Sequence, residues 1–431
     1  MEIKICKYPD KAEWEHLQQR PEFDVSSLFD SVKTVLDDVK TEGDEAIRRY
    51  SERFDKVRLE DFQVSKAEIY EAESMISEEL RTAIFVAHKN ISKFHILQYD
   101  EGKMVKTMPG VTCWQKPVAI DKVGIYVPGG TAPLFSTVLM LATPADLAEC
   151  KEIILCTPPN SEGKIHPAIL YAAKFAHVSK IYKIGGAQAI AAMAYGTESV
   201  PKVNKIFGPG NQYVVAAKQL VSLKDVAIDM PAGPSEVVII ADDSANPLYV
   251  AADFLAQAEH GTDSQSVLLT TSERFAESVK GHINIQLSKL PRRDYIEKSL
   301  SNSLIIVLRD EDEMIDFSNQ YAPEHLIIQT DNYKQLSERI TNAGSVFLGL
   351  FSPVSAGDYA SGTNHTLPTN GYAKMYSGVN IDSFFKRITF QEITMEGISE
   401  LGPIVEVMAE TEQLFAHKNA ISIRLEDVCI N

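Results

Sequence analysis

The stretch Lys122–Pro159, "KVGIYVPGGTAPLFSTVLMLATPADLAECKEIILCTPP", decides the fold. A short β-rich run leads through a Gly-rich turn into an apolar helical segment and out into a second β-rich run, the order of a β-α-β unit. The alternation continues with "HPAILYAAKFAHV" (166–178), "KIYKIGG" (180–186), "AQAIAAMAYG" (187–196), "KIFGPG" (205–210), "NQYVVAAKQLVS" (211–222) and "VAIDMPAGP" (226–234). A second series follows at once, with β-rich runs "EVVIIADDS" (236–244), "SVLLTTS" (266–272), "SLIIVLRD" (303–310), "EHLIIQT" (324–330) and "GSVFLGL" (344–350) and helical segments between them. Two such series predict an α/β fold of two Rossmann-like units with parallel sheets flanked by helices, a pattern that a duplication would leave. Open sheets of this kind take ligands in crevices at the carboxyl ends of their strands, so a site between the units is expected.

Outward from this core the rhythm changes. The first third is helical: "SSLFDSVKTVLDDVKTEGDEAIRRYSERFD" sets Leu28, Val32, Val35, Leu36 and Val39 at helical spacing behind a Ser cap. Beyond Phe351 comes "FSPVSAGDYASGTNHTLPTNGYAKMYSG", a loop-forming composition long enough to suggest function. A helical segment, "ISELGPIVEVMAETEQLFAHKNAISIRL", predicts a small C-terminal module.

Composition limits the partners. Lys and Arg number 42 against 59 Asp and Glu, a formal charge of -17 with no basic cluster, which argues against nucleic acid and against an anionic membrane surface. Five scattered cysteines (Cys6, Cys113, Cys150, Cys156, Cys429) without a C-x-x-C pair read as reduced thiols of a cytosolic protein. No apolar run reaches the ~18 residues of a membrane span, and the N-terminus has no apolar signal core.

Several residues can carry chemistry. The turns "VPGGTAPLFS", "IGGAQAIAA" and "FGPGNQYVV" lie between strand and helix, where backbone amides receive phosphates, although Tyr213 occupies the third glycine position of a dinucleotide fingerprint. In "AQAEHGTDSQS" Gln257 and His260 stand three apart at a helix end, with Gly261 as a plausible cap. They suit a divalent metal completed from elsewhere, or simply a solvated terminus with His at the negative end of the dipole. "YAPEHL" sets Glu324 beside His325. Neighbours in a strand point to opposite faces, so the two share one site only if the backbone turns there; otherwise they belong to a hydrated loop. The Gly-rich loop adds Asp358 and His365, and the C-terminal segment adds Glu412 and His417, five apart and divergent on one ideal helix. Cys113 and Cys150 are not followed by a helix start that would activate a thiolate, and read as inert.

Together "VGIYVPGGTAPLFSTVLMLATPA", "IFGPGN", "DMPAGPSEV", "QAEHGTDSQS", "APEHL", "SAGDYASGTNHTLP" and "AHKNA" resemble, in order and spacing, the histidinol dehydrogenase family over nearly the whole chain, more loosely in the N-terminal third. The resemblance implies oxidation of L-histidinol through L-histidinaldehyde to L-histidine with two NAD+ at one site in a cytoplasmic homodimer. It implies zinc ligands at Gln257, His260, Asp358 and His417, and an acid–base pair at Glu324 and His325. Substrate contacts are implied at Ser235, Gln257, His260, His325, Asp358, His365, Glu412 and His417, and cofactor contacts at Tyr126, Gln188 and Asn211. The domains expected are an N-terminal segment 1–22, a first Rossmann-like domain of 23–125 and 237–379 with the zinc and catalytic residues, a second of 126–236 with the NAD contacts, and a C-terminal module 380–431 that crosses to the partner subunit.

Overall fold

The computed structural model describes residues 3–21, 25–129, 132–231 and 233–430, with side chains to residue 427, so Cys429 lies outside the described side chains. Its strands are β1 Lys4–Lys7, β2 Val105–Met108, β3 Val111–Ala119, β4 Lys122–Tyr126, β5 Glu152–Thr157, β6 Lys180–Lys183, β7 Lys205–Phe207, β8 Ala227–Ile228, β9 Glu236–Ala241, β10 Gln265–Thr270, β11 Leu304–Val307, β12 His325–Gln329, β13 Ser345–Leu348 and β14 Phe385–Ile393. The first series forms a parallel sheet of order β6-β5-β4-β7-β8. The second forms β11-β10-β9-β12-β13, and β1 adds a parallel strand outside β11. Numbered within its own series, each sheet has the order 3-2-1-4-5, so both units share one Rossmann-like topology with the switch between first and fourth strands.

Strands covered on both faces send alternate apolar residues into two cores. In the five-stranded sheet Val123, Ile125, Leu155 and Phe207 enter one core, and Ile154, Cys156, Tyr182 and Ile206 enter the other. In the six-stranded sheet Val237, Ile239, Leu268 and Ile327 oppose Val238, Ile240, Leu269 and Ile328 in the same way.

The packing of the N-terminal third departs from the expected grouping of 23–125 with 237–379. The helix Phe29–Glu42 lies on the helix Gly186–Tyr195, and Glu78–Ile96 lies on Phe135–Leu147, so both cover the five-stranded sheet. The stripe Val32, Val35, Leu36 and Val39 joins one core of that sheet, and Ile84, Ala87 and Ile91 join the other. Helical periodicity shows which face is buried but not which sheet receives it. The segment 1–22 is likewise no separate module: β1 extends the six-stranded sheet, and Trp14 is buried against Phe317 with ring centroids 5.4 Å apart.

A third sheet, β14-β3-β2, is antiparallel, with β14 paired along all of β3 from Phe385–Ala119 to Ile393–Val111. The C-terminal module therefore begins with a strand. Its helical segment is two helices, Met395–Thr411 and Phe415–Ile430, packed on one another and broken at Gln413, whose φ is 62°.

Candidate active site

His325 opens β12 and Glu324 precedes it, both buried. The turn that brings them together is at Ala322, left-handed at φ 54°, just before Pro323. Gly344 lies so close beneath the Glu324 carbonyl that a Cβ would stand 2.6 Å from the oxygen, so only glycine fits there. The Glu324 carboxylate accepts the backbone N–H of Glu236 at 2.9 Å and lies 3.4 Å from His325 Nδ1. Nδ1 also lies 3.3 Å from the Glu236 carbonyl, which can only accept, so that nitrogen carries a proton. Nε2 is buried without a hydrogen-bond partner, 3.6 Å from Asp358 Oδ1. Burial opposes a charge on His325, but Glu324 and Asp358 outweigh it and push its pKa up to about 10.

Asp358 lies on the short helix Val354–Tyr359 in the Gly-rich segment, its other oxygen 4.0 Å from His260 Nε2. Burial would raise its pKa, yet the imidazoles of His325, His365 and His260 hold it below the ordinary carboxylate value. His365 donates or accepts at two contacts, Nδ1 with the Asp358 carbonyl at 2.9 Å and Nε2 with Thr137 Oγ1 at 3.1 Å. Burial keeps it neutral, so Nδ1–H donates to the carbonyl and Nε2 accepts from the threonine. The preceding Asn364 is tied to the Met140 carbonyl at 2.6 Å and to the buried His95 at 3.3 Å, which fixes the loop.

Gln257 occupies the last turn of the helix Pro247–Ala258, 1% exposed, with both amide atoms unpartnered. His260 follows beyond the helix end on a tight turn, its N–H bonded to the Gln257 carbonyl at 3.3 Å. The expected Gly261 cap is not used: Glu259 is the C-cap, and Gly261 is absent from the left-handed glycines. Ser235, half-buried, heads the connection into β9. Gln257, His260 and Asp358 together present an amide, an imidazole and a carboxylate, a donor set that fits a zinc-like cation, and the orphaned buried amide of Gln257 calls for such a partner. Among the described residues no three His, Cys, Asp or Glu side chains form a complete metal site. Glu412 and His417 do not join this group: they flank the break between the two C-terminal helices and are exposed.

These residues gather at the amino ends of β9 and β12. That corrects the expectation of a carboxyl-end crevice for the six-stranded sheet, because the helix Pro247–Ala258 runs back antiparallel to the strands and delivers Gln257 to their starting edge. The five-stranded sheet contributes its carboxyl edge, and the Thr137–His365 contact joins the two. Tyr126 ends β4, buried, and its hydroxyl accepts the Gly186 N–H at 3.0 Å. Gln188, also buried, donates to Asp55 at 3.3 Å and leaves its Oε1 unpartnered. Burial raises the Asp55 pKa to about 6. Asn211 caps the helix Gln212–Ser222, accepting the Tyr213 and Val214 N–H groups at 3.0 and 3.2 Å. The turn before it is clamped by a buried pair: Asp229 accepts the Gly208 N–H at 2.8 Å, and Lys218, paired with Asp229, donates to the Gly208 carbonyl at 2.8 Å. A cavity of about 740 Å³ opens nearby, with Asp55, Pro128, Gly129, Pro158 and Lys164 in its wall.

Sequence reasoning missed Glu236, Arg20, Asp55 and the Lys218–Asp229 pair. Glu236 had a visible signal, a carboxylate heading "EVVIIA", where every other position is apolar. Cys150 and Cys156 are raised by burial, Cys150 to about 12, in keeping with inert thiols.

A family model described as histidinol dehydrogenase matches residues 18–425. The histidinol dehydrogenase of Bacteroides thetaiotaomicron is 62% identical over 98% of this chain and 99% of its own length, and that of Escherichia coli K12 is 52% identical over 95% and 94%. A crystal structure of histidinol dehydrogenase from Elizabethkingia anophelis matches with a TM-score of 0.97 at 54% identity, covering 99% of this chain and 98% of that one. With a family model over nearly its whole length, and relatives this similar end to end, the chain belongs to the histidinol dehydrogenase family.

Proposed function

We propose that this oxidoreductase carries L-histidinol through L-histidinaldehyde to L-histidine, passing two hydrides to two molecules of NAD+. The observation that carries the reading is a largely buried cluster at one edge: His325 with its Nε2 unpartnered, the Glu324 carboxylate 3.4 Å from its Nδ1, and the Asp358 carboxylate 3.6 Å from Nε2. In the first step His325 Nε2 takes the hydroxyl proton while hydride leaves the carbinol carbon for NAD+, giving aldehyde and NADH. An aldehyde hydrate is needed before a second hydride can leave, so Glu324 takes a proton from water as its oxygen adds to the carbonyl. Loss of the second hydride from the hydrate then gives the carboxylic acid.

Gln257, His260, Asp358 and His417 would hold zinc, whose chemistry is to orient the imidazole and amino nitrogens of the substrate. Asp358 cannot serve two partners equally. Were its carboxylate to hold the zinc, less of its charge would be left to keep a proton on His325, and burial would favour the neutral base the first step requires. Ser235, His365 and Glu412 complete the substrate contacts in this reading. Tyr126, Gln188 and Asn211 form the NAD side: Tyr126 orders the Gly186 turn, and Gln188 Oε1 and the Asn211 amide hydrogens remain to be used.

The same proposal includes a homodimer in which the partner supplies Glu412 and His417. Support comes from their exposed place at the tip of a helical hairpin that also exposes Val407, Met408, Leu414 and Phe415. A shallow groove of about 650 Å³ beside Ala360, two residues from Asp358, is lined by Glu78, Glu79, Thr82, Ala83 and Val86, and its apolar part suits the apolar side chains of such a tip. A cytoplasmic location goes with the free thiols of Cys6, Cys113, Cys150 and Cys156.

The deciding experiment supplies limiting L-histidinol and excess NAD+ to the purified protein and counts products. Two NADH and one L-histidine per histidinol are expected. One NADH with accumulating aldehyde would remove the second step, and no turnover with zinc present would remove the assignment.

A further inference from the structure

Among the buried charges that this chemistry leaves unused, one pair touches both reacting side chains through the backbone of a single residue. Glu236, 2% exposed at the head of β9, donates its backbone N–H to the Glu324 carboxylate at 2.9 Å and offers its carbonyl to His325 Nδ1 at 3.3 Å. Its side chain turns the other way and meets Arg20 in a forked pair, Arg20 Nε to Oε2 and Nη2 to Oε1, the latter at 2.9 Å. The same guanidinium donates from Nη2 to the Tyr321 carbonyl at 2.7 Å and lies 3.8 Å over the Tyr321 ring. Tyr321 stands one residue before the left-handed Ala322 that aims Glu324, and its hydroxyl is fixed by Gln265 at 2.6 Å. One arginine from the N-terminal segment therefore grips both the strand that holds the pair and the turn that presents it.

We propose that Arg20 and Glu236 are positioning residues: their ion pair fixes the backbone of Glu236, whose N–H and C=O keep Glu324 and His325 in register for both oxidation steps. Stability alone is a poor reason for the arrangement, since well-packed apolar side chains replace a buried ion pair at little or no cost. A planar fork does what they cannot, setting distance and orientation at two backbone points together. The Glu236 carbonyl also selects the imidazole tautomer, because it can only accept from Nδ1 and so leaves Nε2 as the proton acceptor.

The inference rests on the proposed histidinol oxidation, and its test separates the two. Full-length Glu236→Gln, Arg20→Met and the milder Arg20→Lys are compared with the parent protein. The measurements are kcat and KM with histidinol, the same with histidinaldehyde supplied directly, zinc content, and amide hydrogen exchange at residues 236 and 324–326. Glu236→Gln and Arg20→Met should lower kcat of both steps by roughly 10–100-fold, the usual range for supporting partners of a site. KM and zinc content should change little, exchange at the named amides should quicken, and Arg20→Lys should fall between. A lowered melting temperature with kcat intact, a loss carried by KM, or a loss confined to one step would overturn the clamp. If the parent protein fails to oxidise histidinol, the functional reading falls, and unchanged exchange in the variants would still refute the clamp on its own.

Discussion

In the proposed reaction Glu324 and His325 have separable tasks, and substitutions should separate them. Glu324→Gln keeps the shape and the contact with the Glu236 N–H but removes the base for hydration. Aldehyde oxidation should slow by roughly 100-fold or more while the first NADH still forms, seen as one NADH per histidinol with trapped aldehyde. His325→Asn should instead depress the first hydride transfer. At this scale the sequence brought both residues to notice, since Glu324 and His325 sit side by side in one short motif, and the fold buries them 3.4 Å apart. Spacing alone left Glu324 and His325 on opposite faces, because the turn at Ala322 carries no glycine or asparagine to announce it. The partners that hold them were silent for another reason: Arg20 and Glu236 lie 216 positions apart, and nothing local joins them.

Whole elements show the same division. The ten strands of the two series were legible from apolar runs and Gly-rich turns, whereas β14 was hidden because most of its positions are exposed and its sequence, FKRITFQEI, mixes charged with apolar residues. The turn after β7 allows a sharp test. Gly208 adopts φ 123°, and a Cβ there would stand 2.0 Å from the Tyr126 carbonyl oxygen. Gly208→Ala should therefore cost ~1–3 kcal/mol or more in strain, lower the melting temperature and raise KM for NAD, with zinc content unchanged. A second test lies on the helix that carries Gln257. Burial pushes the Asp253 carboxyl from 3.8 up to about 7, with Gln329 donating to it at 2.8 Å. The folded chain thus holds that proton more tightly than the unfolded one. The resulting stabilisation is complete below about pH 4 and is lost as pH rises through about 7. Asp253→Asn should escape this loss, so its melting temperature should gain on that of the parent protein across the interval.

For the molecule as a whole, the sequence announced two sheets but not which helices cover them, since amphipathic stripes of equal quality fit either. Nor did it reveal that the C-terminal segment folds back as a hairpin of two helices rather than running as one long helix. If Glu412 and His417 serve the neighbouring subunit, His417→Ala and Asp358→Ala should each be inactive. Mixed and refolded in equal amounts, half of the dimers combine the two, each with one intact site of two, and about a quarter of the parent activity should return. No recovery would mean that each chain completes its own site. One further feature bears on how the protein can be handled. The two sheets meet carboxyl edge to amino edge, which leaves the carboxyl edge of the six-stranded sheet, with its connections at Asp242–Asn246 and Arg309–Asp310, without reacting groups. That rim is the place for a fluorophore or a short peptide insertion, a silent address from which turnover can be watched without being disturbed.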